Sequence, residues 1–227
     1  MKNPKVSIVI PCYNHYDLLH QALFDLYSHG NRPYEIVVVN DASTDKEFYD
    51  GLTWWESNGM FNIKEIRNTE NMGFLSSSNF GLKEARGDII ALLSNDVRVR
   101  DNIVNLLVNH YKLNGKDCKL IGGRLLDFDT GWNRFGDRIF HYLEGWLLIA
   151  TRESWEELKY LDDRFAPSDY EDIDLSTTAL KMGYTLIPMN NDKIHHMGGQ
   201  SYGYDEKRKE RTEKNRKKFE EKWSLLK

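Results

Sequence analysis

Short β-branched runs alternate along this chain with stretches whose apolar residues recur at helical spacing. Val6 to Ile10 is continuous and apolar, the pattern of a strand covered on both faces, and Pro11 ends it. Asn14 is placed to cap a helix reaching Tyr27, with Asp17 near its positive end and Leu19, Leu23 and Leu26 on one stripe. The next strand is Glu35 to Val39. Ile63 to Arg67 then reads as a strand, Phe74 to Ala85 as a helix with Gly87 as its stop, and Asp88 to Leu93 as another strand. Such alternation predicts a parallel sheet with right-handed crossovers.

After a helix near Ile103 to Tyr111 the pattern changes. Leu120 to Leu126 and Gly145 to Thr151 are separated by an aromatic, Gly-containing loop rather than a helix, which predicts antiparallel or mixed strands. A helix over Ile173–Met182 and a short strand over Thr185–Met189 follow. From Asp205 the chain is highly charged, and Phe219, Trp223 and Leu226 at i, i+4, i+7 spacing predict a helix docked only near its end. The fold class expected is α/β: a Rossmann-like nucleotide-binding half with a mixed central sheet flanked by helices, plus a charged C-terminal helix.

Composition narrows the class without specifying it. With 227 residues and 40% hydrophobic content the chain can bury one substantial core. The expected organisation is one domain over residues 1–204, in two halves (1–100 and 101–204), followed by a basic helix over 205–227. The formal charge of -4 hides an asymmetry: residues 205–227 hold 10 Lys and Arg against 6 Asp and Glu, a net of +4 that leaves -8 for the rest. Cys12 and Cys118 offer neither a disulfide framework nor metal-ligand spacing, which suits a reducing compartment and small buried residues. The apolar run Val6–Ile10 is far shorter than the roughly 20 residues of a membrane span. A soluble, cytoplasmic protein is therefore expected, with no nucleic-acid partner.

Polar groups collect where the apolar strands end. In open α/β sheets ligands occupy the crevice beyond the carboxyl ends of strands, so acids, amides and imidazoles recurring there predict one shared site. Asp41 of Asn40-Asp41 can accept hydrogen bonds from a pyrimidine N–H or a ribose hydroxyl, while Ser43 or Thr44 capping the next helix is the ordinary alternative. Asn71-Met72-Gly73 with Asn79 reads as a loop and helix start whose amides approach a nucleotide, although turn and cap duties explain Asn71 and Gly73 equally well. Ser94-Asn95-Asp96 places an acid directly after an apolar strand, where diphosphate and a divalent cation need hard oxygen ligands; an Asx turn is the alternative.

Glu171-Asp172-Ile173-Asp174 sets three carboxylates at a helix N-terminus, more than capping needs, and Asp172 is suited to be an unprotonated general base. In His195-His196 the imidazoles point in opposite directions on extended backbone, so one can face the site in a metal or diphosphate role; His195 is the first choice. Trp132, Phe135, Phe140, Tyr142 and Trp146 could stack on the rings of a bound ligand, although aromatic residues more often anchor the core or a flap.

Taken in order, these fragments resemble the inverting nucleotide-sugar glycosyltransferases of family two, with the glycosyltransferase A fold. The likeness is carried by Val6-Ser7-Ile8-Val9-Ile10-Pro11-Cys12-Tyr13-Asn14, Asn40-Asp41-Ala42-Ser43-Thr44-Asp45, Asn71-Met72-Gly73, Asn79-Phe80-Gly81 and Gly87-Asp88. It continues through Ser94-Asn95-Asp96 at the DxD position, Gly145-Trp146-Leu147-Leu148-Ile149, Asp162-Asp163-Arg164-Phe165, the acidic cluster and His195.

The resemblance implies that Pro11, Tyr13, Asp41 and Asn71 line the nucleotide, with Asn14, Gly73, Asn79 and Asn95 assigned to the same site. Asp96 would bind Mn²⁺ or Mg²⁺ with His195 and His196, Asp172 would be the base with Glu171 beside it, and Trp146 and Asp174 would meet the acceptor. Two features depart from the family pattern. The DxD position keeps only its last acid, and Ser176-Thr177-Thr178 stands where a basic residue is often found. The variant motifs look most similar to bacterial rhamnosyl- and other polysaccharide glycosyltransferases.

The implied reaction is a single inverting displacement on a UDP- or dTDP-type sugar by a hydroxyl of a glycan, a lipid-linked saccharide or a protein glycan. The basic tail suits an anionic membrane surface at the inner face of the cell membrane, against the ordinary alternative of a solvated helix. Two other classes are a sugar nucleotidyltransferase and an inactive glycan-binding scaffold. The first calls for a Gly-rich basic loop after the opening strand, where Pro11-Cys12-Tyr13-Asn14-His15 stands; the second would have lost Asp96 or Asp172.

Overall fold

The structure, a computed structural model, describes residues 5–113, 119–127, 141–189, 192–198 and 206–223. In chain order the elements are β1 (Val6–Cys12), α1 (Tyr16–Ser28), β2 (Glu35–Asn40), α2 (Lys46–Ser57), β3 (Ile63–Arg67), α3 (Gly73–Glu84), β4 (Ile89–Leu93), β5 (Val97–Val99) and α4 (Ile103–Leu113). They continue with β6 (Lys119–Gly122), β7 (Leu125–Asp127), β8 (His141–Leu143), β9 (Leu147–Thr151), α5 (Arg152–Leu158), α6 (Glu171–Lys181), β10 (Thr185–Pro188), β11 (Ile194–His196) and α7 (Glu206–Lys222).

Seven strands make one mixed sheet in the order β10-β6-β9-β4-β1-β2-β3. β1 pairs in parallel with both β2 and β4, and β2 in parallel with β3, as the alternation predicts. β9 runs antiparallel to β4 and to β6, and β10 runs parallel to β6. The mixed half therefore lies where helix-free spacing indicated it.

Side-chain alternation divides the core into two layers. Ile8 and Ile10 of β1, Ile36 and Val38 of β2, Ala91 and Leu93 of β4, and Leu147 and Ile149 of β9 pack on one face with α1, α2 and α4. Val9, Val37, Val39, Ile90, Leu92, Leu148 and Ala150 pack on the other with residues of α3, α5, α6 and α7. A strand buried on both faces must be apolar at every position, which is why these runs are continuous rather than alternating. Gly81 lets α3 close on this sheet: a Cβ there would meet Val9 Cγ1 at 2.4 Å and Val39 Cγ2 at 2.7 Å.

Asn14 does not cap α1. Asn14 and His15 both have positive φ, and no side chain caps the helix. Asn14 Oδ1 instead accepts from the Thr44 backbone N–H at 2.8 Å, tying the loop after β1 to the loop after β2.

The C-terminal helix is docked along its length, not only near its end. Arg211 and Thr212 bond Asp169, Asn215 bonds three backbone carbonyls, Lys218 donates to the Arg164 carbonyl, and Lys222 bridges Asp162 and Asp174. Phe219 is fully buried in the second core layer and Trp223 packs against that layer, whereas Leu226 lies outside the described residues. Charge-rich composition concealed this docking, because most of the anchors are polar side chains reaching backbone and carboxylate partners. No helix among the described residues is long and apolar enough to cross a membrane. Removing the Phe219 ring in Phe219→Ala should cost about 3–5 kcal/mol, read as a lowered urea midpoint with unchanged slope. A midpoint shift below about 1 kcal/mol would show that the helix is a loosely held appendage.

Candidate active site

A cavity of about 700 Å³ opens beyond the carboxyl ends of β1 and β4. Its wall includes Pro11, Tyr13, Asp41, Asn71, Asn95 and Asp96 from the first half of the chain, and Arg124, Tyr142, Glu144, Trp146, Glu171, Asp172 and His196 from the second. Ser168, Asp169, Arg208 and Thr212 also line it, so the last helix contributes to the same space. The described residues thus bring most of the expected side chains together.

Asp41, 3% exposed, leaves β2 and turns back on the loop before α3. Its Oδ1 accepts from the Met72 N–H and from Asn68 Nδ2, each at 2.8 Å, and its Oδ2 accepts from the Gly73 N–H at 2.8 Å. A carboxylate offers about four acceptor positions, so three are occupied by the protein and one remains for a ligand. Gly73 is needed for its backbone: φ is +83°, and a Cβ would meet Pro167 Cβ at 2.4 Å. It is absent from the cavity wall and its N–H is committed to Asp41, so it could act on a ligand only through Asp41.

Asn79 is a correction. Its amide donates to the Leu161 carbonyl at 2.7 Å and to Asp163 at 2.9 Å, and accepts from the Leu161 N–H at 3.0 Å. It braces α3 against the 161–163 segment away from the cavity, and the helical position that suggested a ligand contact instead faces the neighbouring loop. Asn14 likewise sits outside the wall, holding two site loops together. Asn95 does line it and donates from Nδ2 to the buried Cys12 sulfur at 3.3 Å, while burial pushes the Cys12 thiol up to about 12. Cys118 lies outside the described residues.

Asp96, 4% exposed, stands just past β4. Ser94 Oγ donates to its Oδ1 at 2.7 Å, and His196 Nε2 lies 3.2 Å from the same oxygen. Burial alone would raise this carboxyl, but those bonds outweigh it and hold Asp96 below its ordinary range. The imidazole facing the site is His196 and not His195. β11 pairs antiparallel with β5, matching His196 to Val97; alternation puts His196 on the face of buried Ile194 and turns His195 outward. Trp146 stacks on His196, with centroids 5.6 Å apart and planes 15° apart, and donates from Nε1 to Glu144 at 2.9 Å.

Asp172 occupies the first turn of α6, whose N-cap Tyr170 is left-handed and makes no side-chain cap. Its two oxygens accept from the Ile173 N–H at 2.8 Å and the Gly145 N–H at 3.0 Å. Burial outweighs these bonds, with the Glu144 charge adding to it, and raises the Asp172 carboxyl to about 6. Glu171 is pushed well above the carboxylate range by burial and by Asp172, and its Oε2 has no hydrogen-bond partner.

Among the acids, Asp174 is the one the structure corrects. It is 2% exposed and receives Lys222 Nζ at 2.7 Å and Trp223 Nε1 at 2.9 Å, so it anchors α7 and does not reach the cavity. Sequence reasoning missed Arg124 and Glu144, which form a two-bond pair at 2.7 and 2.8 Å, although an acid directly before Gly145-Trp146 is a local signal. It also missed Arg208 and Thr212, for which no local signal exists, since their partner Asp169 is some 40 residues upstream. Trp132, Phe135 and Phe140 lie outside the described residues.

The raised Asp172 carboxyl has a stability consequence. Its folded value of about 6 exceeds its ordinary 3.8, so between those pH values the folded state holds the extra proton and stability falls as pH rises. Asp172→Asn should therefore gain on the order of 1 kcal/mol over wild type at pH 7.5 and lose that advantage near pH 4, in urea titrations at both pH values. An identical difference at both would show that the carboxyl titrates normally.

Comparison with known proteins agrees with this architecture. A model described as glycosyl transferase family 2 matches residues 7–170. Among curated relatives, a dolichol-phosphate mannosyltransferase of Pyrococcus furiosus is 34% identical over 125 residues, 53% of this chain and 33% of that protein. Among solved structures, a mannosyltransferase from Pyrobaculum calidifontis in complex with GDP-Man and Mn²⁺ has a TM-score of 0.65 at 21% identity, covering 89% of this chain and 59% of that one. GalNAc-T7 with UDP, GalNAc and Mn²⁺ has a TM-score of 0.66 at 16% identity, covering 82% of this chain and 42% of that one. The fold is the glycosyltransferase A fold. The chain spans about a third of the length of the curated mannosyltransferase it matches.

Proposed function

The chain belongs to glycosyl transferase family 2, and from that premise we propose that it transfers a sugar from a nucleoside-diphosphate donor to an acceptor hydroxyl with inversion, using Asp172 as the base. The observation that carries this reading is the pair of carboxylates in one cavity with opposite tendencies: Asp96 held ionised, Asp172 raised to about 6. Titratable groups whose environments push them apart mark a division of labour between charge stabilisation and proton transfer.

The donor would lie over the ends of β1, β2 and β4, with Tyr13, Asn71 and the remaining acceptor position of Asp41 toward the nucleoside. At neutral pH Asp172 is largely ionised yet poorly solvated, the condition for a base that takes the acceptor proton as the new bond forms. The acceptor oxygen bonds to the anomeric carbon, the bond to the diphosphate breaks, and one displacement inverts the centre. Glu171 beside it is pushed upward by burial and by Asp172, which disfavours a second negative charge there.

The residues at Asp96 fit a divalent cation. Asp96 offers an ionised hard oxygen and His196 an imidazole nitrogen beside it. The described residues contain no group of three or more His, Cys, Asp or Glu that could hold a metal, so substrate phosphates and water would have to supply the remaining ligands of a Mn²⁺ or Mg²⁺ ion. When bound, such a cation supplies positive charge against the departing diphosphate.

Asp172→Asn should lower kcat by about 10²–10⁴-fold while leaving the donor KM nearly unchanged. Near-normal turnover of Asp172→Asn, with loss in Glu171→Gln, would move the base to Glu171. The donor is tested by thermal shift with GDP-, UDP- and dTDP-sugars, with and without Mn²⁺. A stabilising donor should need Mn²⁺, and Asp96→Asn should lose that shift; equal shifts in excess EDTA would eliminate the metal-assisted reading.

A further inference from the structure

The segment carrying Asp172 is held on both sides by a helix that lies beyond the 7–170 stretch shared with the family model. On the upstream side Asn215, 1% exposed, points its Nδ2 at the carbonyls of Phe165, Ser168 and Asp169, at 2.8, 2.9 and 2.9 Å. Those carbonyls belong to the turn that delivers α6. Asp169 and Tyr170 in that turn have φ of 76° and 77°, a left-handed pair without glycine. Such backbone persists only where its surroundings over-determine it. Arg211 Nε adds a bond to Asp169 at 2.8 Å.

On the downstream side Lys222 donates to Asp174 at 2.7 Å and to Asp162 at 2.8 Å, while Trp223 donates to Asp174 at 2.9 Å. The clamps at residues 169 and 174 thus bracket Asp172. Between them, Asp172 keeps its 3.0 Å bond from the Gly145 N–H and its place on the cavity wall. The contact is close: a Cβ on Gly145 would stand 3.1 Å from Asp172 Cβ, so small shifts of α6 alter the carboxylate's position.

We propose that α7 positions the catalytic base, with Asn215 and Lys222 as positioning residues that hold the 169–174 segment in the geometry for proton transfer. This rests on the reading of Asp172 as the base. Pro11, Asp41 and Asp96 stand at strand ends in the other half, so donor binding should be insensitive to the clamp.

The test uses the full chain, with Asn215→Ala, Lys222→Met and Lys222→Arg, each in wild-type and Asp172→Asn backgrounds, after thermal melts establish folding. Asn215→Ala and Lys222→Met should lower kcat about 10- to 100-fold with donor KM changed less than about twofold, as misplacement of a reacting group does. Lys222→Arg should restore most of the rate. In the Asp172→Asn background the same changes should cost little more, because positioning matters only while the base is present.

Undiminished kcat in folded Asn215→Ala or Lys222→Met overturns the proposal. So does a loss that adds fully to that of Asp172→Asn, or one that appears in donor KM. If Asn215→Ala does not fold, Lys222→Met, at the helix end and partly exposed, decides alone. Failure of the underlying reading looks different: wild type transfers no sugar, or Asp172→Asn alone retains turnover.

Discussion

The central strands are buried on both faces, and this constrains everything else in the molecule. Val9, Ile10, Val37, Val38, Ala91, Leu92, Leu148 and Ile149 leave no wall on which a polar side chain could sit without losing water. Ser7 and Glu35, the polar pair near the start of β1 and β2, satisfy each other at 2.8 Å. Polar chemistry is therefore displaced to where strands stop. β1, β2 and β4 run parallel, so their carboxyl ends coincide at one edge and deliver Pro11, Asp41 and Asp96 together. β9 runs the other way, and its start, paired as Leu147 with Leu93, brings Gly145 and Trp146 to that same edge.

Electrostatics then separates the roles at that edge. Asp96 is buried but compensated by Ser94 and His196, whereas Asp172 is buried with only backbone donors and with Glu144 and Glu171 nearby. The cost of burying charge is met in one place and left partly unmet in the other. Arg124 neutralises Glu144 and keeps it ionised despite burial, so the charge acting on Asp172 persists. Asp162, nearer the surface, is held far below the carboxylate range by Arg164 and Lys222 despite partial burial, and serves as a fixed anchor for α7.

The misread residues share a cause. His195 and His196 differ by one position, and only the pairing of β11 with β5 fixes which of them turns inward with Ile194. Asp174 and Asp172 lie on one helix turn, yet Lys222 and Trp223 claim Asp174 from a helix 48 residues away in sequence. Asn79 carries the same amide as Asn71, but it faces the 161–163 segment rather than the cavity.

Local sequence by itself determined β1, α1, β2, β3, α3 and β4, though not α2 or β5, together with the switch to mixed pairing after Tyr111 and the grouping of acids and amides at strand ends, because hydrophobic period and turn residues act over a few neighbours. It also located Asp96 and Asp172, each announced by the element it follows or begins. Tertiary structure alone decided which member of each pair faces the cavity, that Asp41 spends most of its acceptors on the 68–73 loop, and that the charged tail is part of the site. Those outcomes depend on partners tens of residues away and on burial, and neither is encoded in the spacing of residues along the chain.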